Sequence, residues 1–216
     1  MGLPMATNLV KKRGHAVTGY DVFRERRILL EQAGGASGEP EEIFAVNDVV
    51  FLCLPTSELL RDTVEQIRNR AKPGTIIVDL GSTSPAVIRT LAPQVQEKAM
   101  HLLDSPVSGG ETGAVAETLA LMCGGNRAVF GKVKPLLLCM GTSATYMGNS
   151  GCGSIISRDS YPKTACTVVP PPPTSTSMTL SVYSVIVPLA VSVTINLTNE
   201  WPLSGTAVKV CVVPAK

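Results

Sequence analysis

The sequence has almost no net charge. Its 216 residues include 19 Lys and Arg and 17 Asp and Glu, which leaves a formal net charge of +2. A protein that binds nucleic acid mainly through electrostatics has a clear excess of basic residues, so we expect no nucleic-acid partner. Six cysteines are present, but none forms a CxxC pair and no His stands at ligand spacing from one. Structural zinc sites use such spacings, so we also expect no metal site.

Charged side chains are missing altogether from residues 164–199, a Ser- and Thr-rich stretch with four consecutive prolines at 170–173. Helical periodicity is also absent after residue 153, and this composition is typical of a segment without a stable fold. Residues 178–198 have the length of a membrane span, which keeps a tail-anchored protein as an alternative. Ser, Thr, Asn and Pro188 interrupt that run, however, and no aromatic or basic residues flank it. We therefore predict an irregular or disordered Pro/Ser/Thr-rich tail over residues 154–216, with no membrane contact.

Up to about residue 148, helical and strand patterns alternate along the chain. The patterns predict helices at 3–12, 24–32, 58–70, 85–98 and 128–138. They predict strands at 16–20, 49–54, 75–80, 102–103 and 118–123. Strands that alternate with helices of this length indicate βαβ units. We therefore predict the α/β class with a doubly wound parallel sheet of Rossmann type.

The first 21 residues match the second half of a dinucleotide fingerprint. Gly2 enters a helix, small residues follow, and Asp21 ends a strand about 20 residues later. In such a fingerprint the helix N-terminus favours a pyrophosphate, and the acid accepts hydrogen bonds from a ribose. On these residues alone, an ordinary capping role at the strand end explains Asp21 equally well.

Seven motifs in order carry a resemblance to a known family. They are MGLPMATNL at residues 1–9, GHAVTGYD at 14–21, the segment that ends in Leu54-Pro55, DLGSTSP at 79–85, LDSPVSGG at 103–110, Gly124-Gly125, and the glycines at 141, 148, 151 and 153. The sequence resembles the β-hydroxyacid dehydrogenase family, which includes 3-hydroxyisobutyrate dehydrogenase and tartronate semialdehyde reductase and is related to 6-phosphogluconate dehydrogenase. The resemblance covers residues 1–153 and implies an NAD(P)-binding Rossmann-like domain there.

The resemblance also implies which residues bind the cofactor: Gly2, Leu3, Met5, Asp21, Leu54, Pro55 and Thr83. Gly2 would lie at the pyrophosphate, and Thr83 at the nicotinamide. The carboxylate of Asp21, at the ribose, would repel the additional phosphate of NADP, so NAD is the favoured cofactor. A cluster of Arg24, Arg26 and Arg27 keeps NADP open, although a solvated helix face is the plain explanation for these arginines.

A second implied site would bind the substrate, a small 3-hydroxy acid. In the family a Ser-Gly-Gly triplet binds the substrate carboxylate, and here it corresponds to Ser108, Gly109 and Gly110. A hydroxyl and two unhindered backbone N–H groups suit an anion, and a simple turn is the alternative. Glu117 stands where the family commonly has glycine, so we expect a distorted loop before Thr118.

Two departures from the family pattern bear on activity. The family's first strand and the first two glycines of its fingerprint would precede Met1, so we expect a sheet that lacks its first strand, in a chain truncated at both ends. The family's catalytic lysine, four residues after Gly-x-Gly, is replaced by Ser157. A serine hydroxyl is neutral at pH 7, and a positioned acid–base group contributes about 10²–10⁴-fold to a rate. We therefore assign no catalytic residue and expect little or no turnover.

Several functional expectations follow from the resemblance. The leading one is the cofactor-binding domain of an oxidoreductase that transfers hydride between a nicotinamide and a 3-hydroxy acid. The alternative is a non-catalytic nucleotide-binding or regulatory fragment that pairs with a full-length relative through an exposed sheet edge. We expect an intracellular location, cytoplasmic or mitochondrial, and the resemblance leaves a homo-oligomer open.

Overall fold

The computed structural model describes residues 1–13, 16–156 and 210–214. The helices are α1 Gly2–Arg13, α2 Arg24–Gln32, α3 Pro40–Val46, α4 Ser57–Arg70, α5 Pro85–Gln96, α6 Gly110–Val115, α7 Arg127–Met140 and α8 Cys152–Ile156. The strands are β1 Val17–Gly19, β2 Ala36–Ser37, β3 Val49–Cys53, β4 Ile76–Asp79, β5 His101–Asp104, β6 Val107–Ser108, β7 Leu119–Gly124, β8 Gly141–Gly148 and β9 Val210–Pro214. Every predicted helix and strand is present, and its ends lie within two residues of the prediction.

Local signals explain where several helices begin. The side chain of Thr56 accepts a hydrogen bond from the Leu59 N–H at the start of α4. The side chain of Asn126 caps α7 in the same way, because it accepts hydrogen bonds from two backbone N–H groups. Both are residue types preferred at this position, because they satisfy N–H groups that have no partner within the helix. Pro40 and Pro85 stand in the first turns of α3 and α5, where a missing N–H costs nothing.

The strands form one sheet in the order β2-β1-β9-β3-β4-β5-β7-β6, and β8 pairs with β7. All neighbours from β2 to β5 run parallel, whereas β7 is antiparallel to both β5 and β6. This order confirms the predicted doubly wound parallel class.

Both faces of the sheet are buried. In β3, Val49 and Phe51 belong to a core on one face, and Val50 and Leu52 belong to a core on the other. Residues of α1 and α7 join the first core, and residues of α3, α4 and α5 join the second. Because successive side chains of a strand point to opposite faces, a strand between two helical layers is apolar at every position. The run VVFLC in β3 has this character.

The structure differs from the sequence analysis at β9. We expected no regular structure after residue 153 and an empty position for the sheet's first strand, but Val210–Pro214 forms a strand between β1 and β3. It runs parallel to both neighbours, with Val210 opposite Val17 on one side and Val49 on the other. The segment holds three valines and no charged residue, a composition that favours a buried strand. The prediction for the tail is therefore wrong at these five residues and also at residues 154–156, which belong to α8.

Candidate functional site

The residues predicted to bind a cofactor gather at the carboxyl edge of the parallel strands. Asp21 follows β1, Leu54 follows β3 and Thr83 follows β4. Gly2 is the first residue of α1, whose start faces the same edge in a doubly wound fold. Ligands of open parallel sheets bind in the crevice outside these strand ends.

One cleft brings three of the predicted residues together. It is lined by α1 with Gly2, Leu3 and Ala6, by the end of β1 with Gly19, Tyr20 and Asp21, and by α2 with Arg26, Arg27 and Leu30. The small residues at the start of α1 and the end of β1 let a ligand approach the backbone there. The cleft therefore combines the start of a helix with a carboxylate in one surface depression.

The carboxylate of Asp21 is fixed from two sides. Its Oδ1 accepts a hydrogen bond from the Phe23 N–H at 2.9 Å, and its Oδ2 lies 3.3 Å from Nη1 of Arg26. Asp21 is 3% exposed, whereas about half of the Arg26 side chain is exposed. Asp21 thus caps the turn after β1, which is the capping role that the sequence left open. Its carboxylate also lines the cleft, where Arg26 neutralises part of its charge.

The three clustered arginines differ in their surroundings. Arg26 lies over the ring of Phe23, and Arg27 lies 4.5 Å from the ring centroid of Tyr20. Arg27 also pairs with Glu39 at 3.0 Å. Arg24 is exposed and does not line the cleft. The solvated helix face therefore describes Arg24, while Arg26 and Arg27 form one wall of the cleft.

A second group of predicted residues surrounds Gly81, across β9 from the cleft. A Cβ at Gly81 would lie 2.9 Å from the carbonyl oxygen of Leu54 and 3.6 Å from Oγ1 of Thr83. The Gly81 N–H donates to Oδ1 of Asp79 at 2.9 Å. Burial raises the pKa of Asp79 to about 6, although hydrogen bonds from Thr83 and Gly81 oppose this shift. Leu54 and Thr83 are buried here, whereas Pro55 is exposed beside them.

The predicted substrate triplet forms an exposed turn at the other side of the sheet. Ser108 ends β6, and Gly109 and Gly110 lead into α6 with φ angles of +130° and +63°. A side chain would be strained at both glycines, so the sequence needs them there. The described contacts do not bring this turn into the cleft around Asp21.

One residue predicted to bind the cofactor, Met5, belongs to neither of the two groups described above. The Met5 side chain is fully buried in the core and does not line the cleft. The reason is helical geometry: Met5 and Leu9 share the face of α1 that packs on the sheet, while Gly2 and Ala6 share the face toward the cleft. Ser157 lies outside the described residues.

Two buried polar residues were missed by the sequence analysis. Asn8 of α1 donates through Nδ2 to the carbonyl oxygen of Ala114 at 2.8 Å, which ties α1 to the helix that follows the Ser-Gly-Gly turn. Asp104 ends β5 and accepts hydrogen bonds from the N–H groups of Gly151 and Ser154, each at 2.8 Å, and from the Ser154 hydroxyl. A polar residue on the apolar face of α1 and an acid at the end of a buried strand were the available signals.

The loop before Thr118 has the conformation that a glycine would adopt. Glu117 has a φ of +61°, a region that side chains other than glycine rarely occupy. Its carboxylate pairs with Nζ of Lys12 at 2.6 Å. The departure from glycine at this position therefore leaves a residue in a left-handed conformation.

Two kinds of feature are absent from the described residues. No helix among them has both the length and the apolar character to cross a membrane. In the same residues, no three His, Cys, Asp or Glu side chains come together in a way that could hold a metal ion.

Fold and cleft define a dinucleotide-binding domain of the Rossmann type. Residues 1–148 match the family model described as the NAD binding domain of 6-phosphogluconate dehydrogenase. The chain belongs to this family, and the relatives that it matches include proteins named as dehydrogenases.

Three relatives illustrate the similarity. The chain is 33% identical over 160 residues to 2-(hydroxymethyl)glutarate dehydrogenase of Eubacterium barkeri, covering 72% of this chain and 53% of that protein. It is 31% identical over 159 residues to the NAD-dependent L-serine dehydrogenase of Pseudomonas aeruginosa, covering 72% and 53%. The solved structure of Mycobacterium tuberculosis 3-hydroxyisobutyrate dehydrogenase with L-serine is similar with a TM-score of 0.69 at 34% identity, covering 73% of this chain and 54% of that one. The chain thus spans about half the length of the curated relatives it matches.

Proposed function

We propose that residues 1–153 bind a nicotinamide dinucleotide as the cofactor domain of an oxidoreductase of the β-hydroxyacid dehydrogenase type. The observation that carries this proposal is the single cleft lined by Gly2 at the start of α1 and by Asp21 after β1. The N–H groups and the dipole at the start of a helix favour a pyrophosphate. The carboxylate of Asp21 can accept the hydroxyls of the adenosine ribose. The residues present therefore fit the adenosine and pyrophosphate part of the cofactor.

Within this proposal, NAD is favoured over NADP. The buried carboxylate of Asp21 repels an additional phosphate on the same ribose. Arg26 lies 3.3 Å from that carboxylate and compensates part of its charge, so NADP binds as the weaker ligand rather than being excluded.

The proposed chemistry is hydride transfer with a small 3-hydroxy acid, in which the bound cofactor supplies the hydride acceptor. Thr83 would contact the nicotinamide end, and Leu54 and Pro55 would pass beneath the adenosine side. Ser108, Gly109 and Gly110 would bind the substrate carboxylate. With Ser157 in place of a lysine, no positioned group moves the hydroxyl proton, so this chain has little or no turnover. The intracellular location and a homo-oligomer stay predictions.

Calorimetric titration with NAD and NADP tests the cofactor assignment. We expect NAD to bind more tightly than NADP. Asp21→Asn keeps the acceptor for the Phe23 N–H but removes the charge, and it should weaken NAD binding about ten-fold or more, the loss of one hydrogen bond to a charged group. Asp62→Asn changes an exposed acid on α4 and serves as the matched control with no expected effect. Equal NAD affinity in both variants would remove the assignment of Asp21.

The alternative, a non-catalytic nucleotide-binding or regulatory fragment that pairs with a full-length relative, stays a prediction. β9 occupies the position between β1 and β3, so such pairing would have to use another edge or an open cleft.

A further inference from the structure

β9 joins two parts of the sheet. On one side it pairs with β1 through three residue positions, and on the other with β3 through five. Apart from β9, β1 pairs only with β2 among the described strands. Without β9, the backbone ladder between the pair β1–β2 and the strands from β3 onward would not exist.

The two halves of the proposed cofactor site lie on opposite sides of this strand. Val212 is opposite Gly19, two residues before Asp21, and Pro214 is opposite Cys53, next to Leu54. Adjacent strands lie about 4.8 Å apart, so one intervening strand holds β1 and β3 roughly 10 Å apart. Direct pairing of β1 with β3 would halve the distance between these two strands. If the position of β9 were empty, nothing would fix that distance.

At the position of β9, water cannot reach the backbone N–H and C=O groups of β1 and β3 to form hydrogen bonds with them. α1 lies against β9, and its residues Met5 and Leu9 are fully buried. The inner edges of β1 and β3 would therefore present unpaired N–H and C=O groups beneath a helix, which folded proteins avoid. A parallel strand satisfies both edges at once.

We propose that the position between β1 and β3 is a strand-binding site whose ligand is the segment Val210–Pro214 of this chain. The site recognises a short uncharged strand by parallel pairing on both edges. The strand can therefore bind whether it is connected to the end or to the start of the domain. The sequence supports this, because Val210, Val212 and Val213 are β-branched and the segment carries no charge. The inference rests on the sheet pairing and does not depend on which ligand the cleft binds.

Four forms of the protein test this proposal: the full chain, the chain ending at residue 206, a permuted chain, and the permuted chain with Val212→Pro. In the permuted chain, residues 207–214 precede Met1 through a six-residue Gly/Ser linker and the protein again ends at residue 206. Connections from strand to helix in such folds are usually 2–6 residues, so the linker suffices. The readout is thermal unfolding without any nucleotide, followed by NAD titration of each folded form.

We expect the shortened chain to lose its cooperative unfolding transition or to melt at least about 10 °C lower, a shift that corresponds to several kcal/mol for a domain of this size. The permuted chain should recover the transition of the full chain. A permuted chain with Val212→Pro should not recover it, because proline removes the N–H that a central strand donates.

Three results would overturn the proposal. The first is a shortened chain that unfolds at the same temperature as the full chain. The second is a permuted chain that is no more stable than the shortened one. The third is a permuted chain whose stability is unchanged by Val212→Pro. A permuted chain that folds but binds no NAD would support the strand site and count against the proposed function, so the two failures are distinguishable.

Discussion

Asp104 holds the start of α8 in place, and replacing it with asparagine tests how strongly. Its Oδ1 accepts the Gly151 N–H at 2.8 Å, and its Oδ2 accepts the N–H and the hydroxyl of Ser154 at 2.8 and 3.0 Å. A Cβ at Gly124 would lie 2.6 Å from Oδ1, so only glycine fits beside this carboxylate. In Asp104→Asn, the amide NH₂ must face one of these backbone N–H groups.

The expected cost follows from the bonds that change. One hydrogen bond to a charged group is lost, worth about 1.5–3 kcal/mol, and buried donors are left facing each other, at about 1–3 kcal/mol more. Burial raises the pKa of Asp104, so removing the charge recovers part of this loss. We expect a net loss of about 2–3 kcal/mol in the free energy of unfolding. Ser154→Ala removes the hydroxyl bond to Asp104 and should cost about 1 kcal/mol.

Chemical denaturation of the wild type and both variants at pH 7 measures these differences. On a thermal scale, the asparagine variant should melt about 5–10 °C below the wild type. An Asp104→Asn variant within 0.5 kcal/mol of the wild type, or one less perturbed than Ser154→Ala, would refute the claim that this carboxylate anchors α8.

Two further predictions concern Glu117 and Asp79. Glu117→Gly and Glu117→Ala both lose the ion pair with Lys12, but only glycine adopts the left-handed backbone without strain. The glycine variant should therefore be about 1 kcal/mol more stable than the alanine variant by urea denaturation. Equal stabilities would contradict a strained conformation at this residue. The pKa of Asp79 is raised from 3.8 to about 6, so the fold favours the protonated carboxyl. The contribution of this group to the free energy of unfolding is fully present below pH 4 and is lost as the pH rises through 6. Asp79→Asn should remove this dependence, worth about 3 kcal/mol, and parallel stability curves for the two proteins between pH 4 and 7 would show that Asp79 does not titrate as described.

The fold was predictable where the sequence is strongly periodic. β3 and β4 are apolar at consecutive positions because both of their faces are covered, and α4 combines an apolar stripe with a Thr56 cap. The two-residue strands β2 and β6 carry too little pattern to be recognised. β9 was missed for another reason: its partners are β1 and β3, about 160–190 residues earlier in the chain, and its surroundings in the sequence are typical of a tail.

The candidate site was predictable in its positions but not in its contacts. The spacing of Gly2 and Asp21 anticipated a shared cleft, since it reflects one helix and one strand of known lengths. The pairing of Asp21 with Arg26 depends on the direction that the long Arg26 side chain takes at the start of α2. The spacing of residues in the sequence does not determine this direction. Met5 was assigned to the cofactor by resemblance, although its four-residue spacing from Leu9 indicates the core face of α1.

Amide NMR shifts during titration with NAD test the central claim most directly. The account predicts that NAD perturbs the amides of Gly2, Leu3 and Phe23 around the cleft, and those of Gly81 and Thr83 across β9, while Lys132 on the exposed side of α7 stays unchanged. Shifts at α7 alone, or no shifts at saturating NAD, would contradict a dinucleotide site at this edge of the sheet.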